Sequence, residues 1–211
     1  MNALTEKRLI AGPAGQLELA LDSPAADVPV RGMALVCHPN PTQGGTMDNK
    51  VVQTLARAFL QMGYRTVRFN FRGIGGSEGA WDEGRGEIED AIAALEATRT
   101  PGEPWLLAGF SFGGYVASRA AQRVSEPAQR LVLVGPATSR FDTAPVPADT
   151  VVIHGEVDDV VPLSAVLDWA RPQSLPVIVV PGVGHFFHGQ LPLLKNLVVR
   201  QFPSFPEVPS A

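Results

Sequence analysis

Short runs rich in Val, Leu and Ile alternate along the chain with longer segments whose apolar residues recur every three or four positions. The runs are GMALVC (32–37), YRTVRFNF (64–71), PWLLAGF (104–110), RLVLVG (130–135), TVVIHG (150–155) and PVIVVPG (176–182). Their near-continuous apolarity predicts strands buried on both faces, as in a parallel sheet covered by helices. Between them, 49–63 has helical spacing and ends on Gly63, a residue suited to a C-cap, and 87–99 places Ile88, Ile92 and Leu95 on one stripe. The opening RLIAGPAGQLELAL (8–21) predicts a hairpin through Pro13 to Gly15, adding antiparallel strands at one edge. The expected class is α/β, a mostly parallel central sheet with helices on both faces. FPSFPEVPSA (202–211) reads as a loose tail, essentially 203–211.

Composition narrows this. With 211 residues, 45% hydrophobic and 18% charged, the chain has the size and core of one domain spanning 1–211. A net charge of −4, with lysines scattered at positions 7, 50 and 195, forms no basic stripe, which argues against nucleic acid as a partner and for a small substrate. No run of eighteen apolar residues occurs and MNALTEKRLI carries no apolar leader, so the expectation is a cytoplasmic protein with no membrane partner. The single cysteine, Cys37, cannot form an internal disulfide and sits inside GMALVC, where it reads as a small buried hydrophobe.

Two stretches fit GxSxG, the pattern of a strained serine turn: GGSEG around Ser77 and GFSFG around Ser111. Such an elbow needs a buried strand running in and a helix running out. Ser111 has both, PWLLAGF before it and GGYVASRAAQRV (113–124) after, with glycines at 109, 113 and 114 where side chains would collide. Ser77 lies in IGGSEGAWDEGRGE, a glycine-dense loop. The same stretch fails a dinucleotide fingerprint, because Glu78 stands where the last glycine of GxGxxG belongs. A serine nucleophile needs a histidine base and an acid to orient it, from loops after later strands. EVDDVVP after 150–155 offers Asp158 or Asp159, and VGH after 176–182 offers His185.

These segments resemble a known superfamily. HGEVDDVVP is similar to the HGxxDxxVP segment of alpha/beta hydrolases, GVGHFFHG to their GxxHFF segment, and HPNPTQGGTMDNKVV with NFRGIGGSEG resembles small, cap-less bacterial members of the serine esterase and dienelactone-hydrolase kind. The motifs span residues 38 to 188. The resemblance implies that Asp158 rather than Asp159 is the acid. It also places one oxyanion donor in HPNP, where Pro39 and Pro41 have no N–H and Asn40 has one, and the other at Phe112. No cofactor is implied.

The remaining candidates have plainer alternatives. His38 and His154 close predicted strands and are expected to shape the rim. His185 and His188 form HxxH without a third ligand, which argues against a metal. Pro41, Arg72, Phe110 and Phe186 are candidate substrate contacts. Arg72 either clamps a carboxylate or pairs with Glu78. Phe110, Phe112, Phe186 and Phe187 either line an acyl pocket or belong to the core. Trp81 is a candidate cover from the same loop as Arg72. Residues 136–150 are too few for a helical cap, so the site should be open, with selectivity from loops or from a second subunit of a homodimer. The expected activity is cleavage of a short acyl ester through Ser111, His185 and Asp158, on a small acyl substrate or a polymer end. A thioesterase, an amidase or peptidase, and a non-catalytic binding protein of the same fold are the alternatives.

Overall fold

The computed structural model describes residues 5–202, so the predicted tail at 203–211 lies outside the described residues. Eight strands form one sheet: β1 (Glu6–Gly12), β2 (Gly15–Asp22), β3 (Gly32–Cys37), β4 (Tyr64–Phe69), β5 (Trp105–Phe110), β6 (Arg130–Val134), β7 (Val151–Gly155) and β8 (Val177–Val180). Their order is β1-β2-β4-β3-β5-β6-β7-β8. The first two pair antiparallel through the expected tight turn, Gly12 opposite Gly15, and β2 adds antiparallel to β4; every pair from β4 to β8 is parallel.

The helices are α1 (Lys50–Gln61), α2 (Arg85–Thr98), α3 (Phe112–Ala121), α4 (Leu163–Ala170) and α5 (Leu191–Arg200). α1 begins where Asn49 Oδ1 accepts the Val51 N–H and stops at Gly63, whose φ of 89° a side chain would resist. Glu87 fixes the start of α2 by accepting the N–H groups of Gly84 and Asp82. Alternate strand residues feed two cores. Met33, Leu35 and Leu107 join Ile88, Leu95 and Val116 on the α2 and α3 face, while Ala34, Val36 and Leu106 join Leu55, Phe59 and Leu194 on the α1 and α5 face. Cys37 is fully buried among the first set, and burial pushes its thiol far above the ordinary range, so it is a core residue.

Two features differ from expectation. α4 and α5 have no counterpart in the sequence reading, and β4 ends at Phe69 rather than at position 71. There the chain leaves the sheet because the Phe71 N–H turns to His38 Nε2 at 3.0 Å. Residues 136–150 form turns and bends without a helix, so no helical cap is inserted between β6 and β7.

Candidate active site

The loops that leave the carboxyl ends of β3, β5, β7 and β8 meet at one edge of the sheet, the usual place for ligands in such folds. Ser111 is the single residue between β5 and α3. It takes φ 56° and ψ −118°, a strained conformation for a residue with a side chain, and its N–H is tied to Val134 O at 2.9 Å. Its glycine neighbours are required by close backbone approach. A Cβ at Gly109 would lie 2.1 Å from Gly113 O, and one at Gly113 2.2 Å from Cys37 O. A Cβ at Gly114 would lie 3.1 Å from Pro136 Cβ in the loop after β6 and 3.6 Å from Gly109 O in β5.

His185 stands on the β8–α5 loop and Asp158 on the β7–α4 loop, with His185 Nδ1 2.6 Å from Asp158 Oδ2. The other oxygen, Oδ1, accepts the N–H groups of Val160 at 2.9 Å and Val161 at 2.7 Å. Burial disfavours the Asp158 charge, but the bonds from His185 and Val161 outweigh it and hold the carboxyl below the usual Asp range. An ionised carboxylate only accepts, so Nδ1 carries a proton, and in the neutral ring Nε2 is the nitrogen left with a lone pair. Neighbouring Asp159 is exposed and does not reach His185. A Cβ on Gly135, which has φ 50°, would lie 3.3 Å from His185 Cε1 and 3.6 Å from Asp158 Oδ2.

Ser111 and His185 border one cavity of about 70 Å³, together with Pro39, Asn40, Gln43, Gly44, Gly45, Asn49, Val160 and Phe186. Hollows of about 230 and 290 Å³ elsewhere touch neither residue. No hydrogen bond joins Ser111 Oγ to His185 among the described residues. Apo sites often hold such pairs loosely until substrate aligns them. The N–H groups of Asn40 and Phe112 have no acceptor among the described residues, which leaves both able to serve an anionic oxygen.

Several candidates belong elsewhere. Ser77 is buried and its hydroxyl is used twice, donating to Asn70 O at 2.7 Å and accepting the Glu18 N–H at 2.9 Å, so it staples its loop to β2. Arg72 does not border the cavity and pairs with Asp90 rather than with Glu78. Its guanidinium holds Asp90 through two nitrogens and donates to Gly86 O, while Glu78 accepts the Gln16 N–H. Pro41 is buried at the start of the 3-10 turn Pro41–Gln43 and Pro39 borders the cavity instead. Phe110 is fully buried and meets the site from behind, tilted against His185 with centroids 4.9 Å apart and edge-on to Phe186 at 6.0 Å; Phe112 and Phe187 are core, and Phe186 alone of the four borders the cavity. Trp81 packs on Phe112 and does not border the cavity.

His38 and His154 are not on the rim but beneath it, both fully buried. His38 joins Pro39 O to the Phe71 N–H, and His154 Nε2 lies 2.9 Å from Val161 O and 3.5 Å from Asp158 Oδ2. Burial lowers the affinity of both for a proton, in His38 to a pKa of about 4. Among the described residues no group of three or more His, Cys, Asp and Glu side chains is placed to hold a metal. Gly135, Gln43, Asn49 and Val160 escaped the sequence reading. Asn49 had a signal, an N-cap residue opening the helix that follows a strand on this edge.

The sheet order and the serine elbow between β5 and α3 define an alpha/beta hydrolase fold. Comparison with known proteins narrows the class: residues 31–175 match the family model of serine aminopeptidase, S33, and the chain belongs to that family of hydrolases. The matched segment holds Ser111 and Asp158 and ends before His185. The chain is 39% identical to XC6422 from Xanthomonas campestris, an alpha/beta serine hydrolase without lid, over 98% of this chain and 99% of that one, with a TM-score of 0.88. An alpha-beta serine hydrolase homologue from Coxiella burnetii is 38% identical over 94% of this chain and 97% of that one, with a TM-score of 0.82. An uncharacterized Rickettsia prowazekii protein, RP471, is 33% identical over 191 residues, 83% of this chain and 79% of that protein. No helix among the described residues is long and apolar enough to cross a membrane.

Proposed function

We propose that the protein hydrolyses short carboxylic esters through an acyl-enzyme on Ser111. Ser111 Oγ attacks the acyl carbonyl and its proton passes to the lone pair on His185 Nε2. Asp158 stabilises the imidazolium through Nδ1, and the Asn40 and Phe112 N–H groups hold the oxyanion. His185 returns the proton to the leaving alcohol. Water then adds to the acyl carbon by the same route and frees the acid. The observation that carries this reading is the 2.6 Å contact between His185 and Asp158, opening onto a cavity that is also bordered by a serine in a strained elbow. The small cavity favours a short acyl chain.

The family description raises aminopeptidase activity as a second reading. An N-terminal ammonium needs a carboxylate to meet it, and among the described residues no Asp or Glu borders the cavity, which favours a neutral ester. The test is labelling with a fluorophosphonate, mapped by peptide mass, beside a panel of p-nitrophenyl esters and aminoacyl p-nitroanilides. The expected result is an adduct on Ser111, absent in Ser111→Ala, with turnover of acetate and butyrate esters. An adduct on Ser77, or turnover of the anilides alone, overturns the proposal.

A further inference from the structure

The cavity has two unlike walls. One is apolar: Val160 and Phe186, the latter 43% exposed and standing edge-on to the His185 ring. The other is built from amides, Asn40, Gln43 and Asn49. What those amides can offer a ligand is fixed by what they already hold.

Asn40 has spent its acceptors. Its side-chain Oδ1 receives the N–H and the hydroxyl of Thr42, each at 2.9 Å, and its backbone carbonyl receives the N–H groups of Gln43 and Gly45. Its donors, the backbone N–H and the side-chain NH2, have no partner among the described residues. Asn49 repeats the pattern. Oδ1 caps α1 by accepting the Val51 N–H at 2.8 Å, the carbonyl receives the Gln53 N–H and the backbone N–H goes to Thr46 O, so only the NH2 remains. Backbone N–H groups cannot accept, so these bonds fix both amides with nitrogen as the free end. The Pro39 carbonyl on the same wall is taken by His38 Nδ1 at 2.7 Å. Gln43 is exposed and makes no side-chain hydrogen bond to a described residue. Among the described residues no Lys, Arg, Asp or Glu borders the cavity.

From this we infer that Asn40 and Asn49 recognise a second, uncharged oxygen acceptor on the substrate, within a few atoms of the scissile carbonyl. This rests on the esterase reading above and names its substrate class: short esters carrying an ether, hydroxyl or carbonyl oxygen on the acyl or alcohol part, the remaining carbons lying against Val160 and Phe186. An uncharged acceptor fits because no described cation borders the cavity to offset a buried carboxylate. A purely alkyl ester of equal length leaves the NH2 groups unpaired once it displaces water.

The test compares p-nitrophenyl methoxyacetate with p-nitrophenyl butyrate, which differ by an ether oxygen in place of a CH2. Asn49→Ser and Asn49→Asp both keep an oxygen to cap α1 but lose the NH2. Their intrinsic reactivity difference cancels when the ratio of kcat/KM values is compared between wild type and variant. The ratio is expected to fall about 3- to 10-fold in Asn49→Ser, the weight of one neutral hydrogen bond, and further in Asn49→Asp, where an acceptor faces an acceptor. An unchanged ratio in both variants overturns the inference while leaving the esterase reading intact.

A second measurement needs no turnover. In 15N-labelled Ser111→Ala protein, the side-chain NH2 resonances of Asn40 and Asn49 should shift at lower concentrations of methyl methoxyacetate than of methyl butyrate. Equal responses, or none, overturn the inference even if wild type cleaves neither ester and the esterase reading itself has failed.

Discussion

His38 ties the loop that carries Asn40 to the loop after β4, and it does so in one protonation state only. Pro39 O can only accept and the Phe71 N–H can only donate, so Nδ1 must carry the proton and Nε2 must not. Protonating Nε2 sets two donors against each other in a fully buried site, consistent with a pKa lowered by burial from the ordinary 6.5 to about 4. The unfolded chain therefore takes up this proton before the folded protein does. Stability from this group is unaffected above pH 6.5, falls as the pH drops from 6.5 to about 4, and is constant below that. Between pH 7 and 4.5 the loss is about 2 kcal/mol. His38→Gln removes the titration while its amide can still donate to Pro39 O and accept from Phe71. Urea unfolding of both proteins at the two pH values measures the difference, and the depressed carboxyls of Asp158, Glu18 and Glu103 cancel because both proteins contain them. The variant should be less stable at pH 7 by about 1–2 kcal/mol yet lose about 2 kcal/mol less than wild type on acidification. Equal losses in the two proteins would refute the assignment of an acid-labile tie to His38.

Three further perturbations test separate parts of the site. Asp158→Asn should leave the fold intact and lower kcat on p-nitrophenyl acetate by about 10⁴-fold, because an amide NH2 facing Nδ1 favours the wrong tautomer. Gly135→Ala adds a Cβ 3.3 Å from His185 Cε1 at φ 50°; it should cost about 1–2 kcal/mol in thermal or urea unfolding and lower kcat about 10-fold, with KM nearly unchanged. Ser77→Ala removes both hydrogen bonds of the staple between its loop and β2, so it should lower stability by about 2 kcal/mol while fluorophosphonate labelling of Ser111 persists at the wild-type rate.

The central strands were legible because burial on both faces leaves a near-continuous apolar run, and β3, β5 and β7 are buried along their whole length. The same signal overran at the end of β4, since Phe71 stays buried after its backbone has left the sheet. α4 and α5 were missed because each buries few residues, Val166 and Ala170 in one and Leu194 and Val198 in the other, too few to outline a stripe. Ser111 could be separated from Ser77 because an elbow has a local grammar of strand, glycine and helix. Arg72 could not be assigned its partner: Glu78 lies in its own loop, while Asp90 is brought to it by α2 packing back across the sheet. Nor does closing a strand reveal depth, so His38 and His154 were expected at the rim although both lie fully buried below it.

Asp158 and Asp159 show what the sequence lacks and the fold supplies. The two are identical and adjacent, yet one turn of the β7–α4 loop sends Asp159 to solvent and folds Asp158 back over the N–H groups of Val160 and Val161. His154 lies beneath it, with Nε2 3.5 Å from the same oxygen that meets His185. Among the described residues no Lys or Arg pairs with this carboxylate; the hydrogen bonds from His185 and the Val161 N–H keep it ionised despite burial. With both imidazoles in their neutral form, that carboxylate carries a negative charge with no cation paired to it among the described residues. On the proposed mechanism, transfer of the Ser111 proton makes His185 a cation 2.6 Å from that charge, so the pairing absent from the ground state forms as the oxyanion develops. A basic side chain beside Asp158 would satisfy the carboxylate at rest and remove that gain, which is a physical reason for surrounding it with hydrogen-bond donors that carry no net charge.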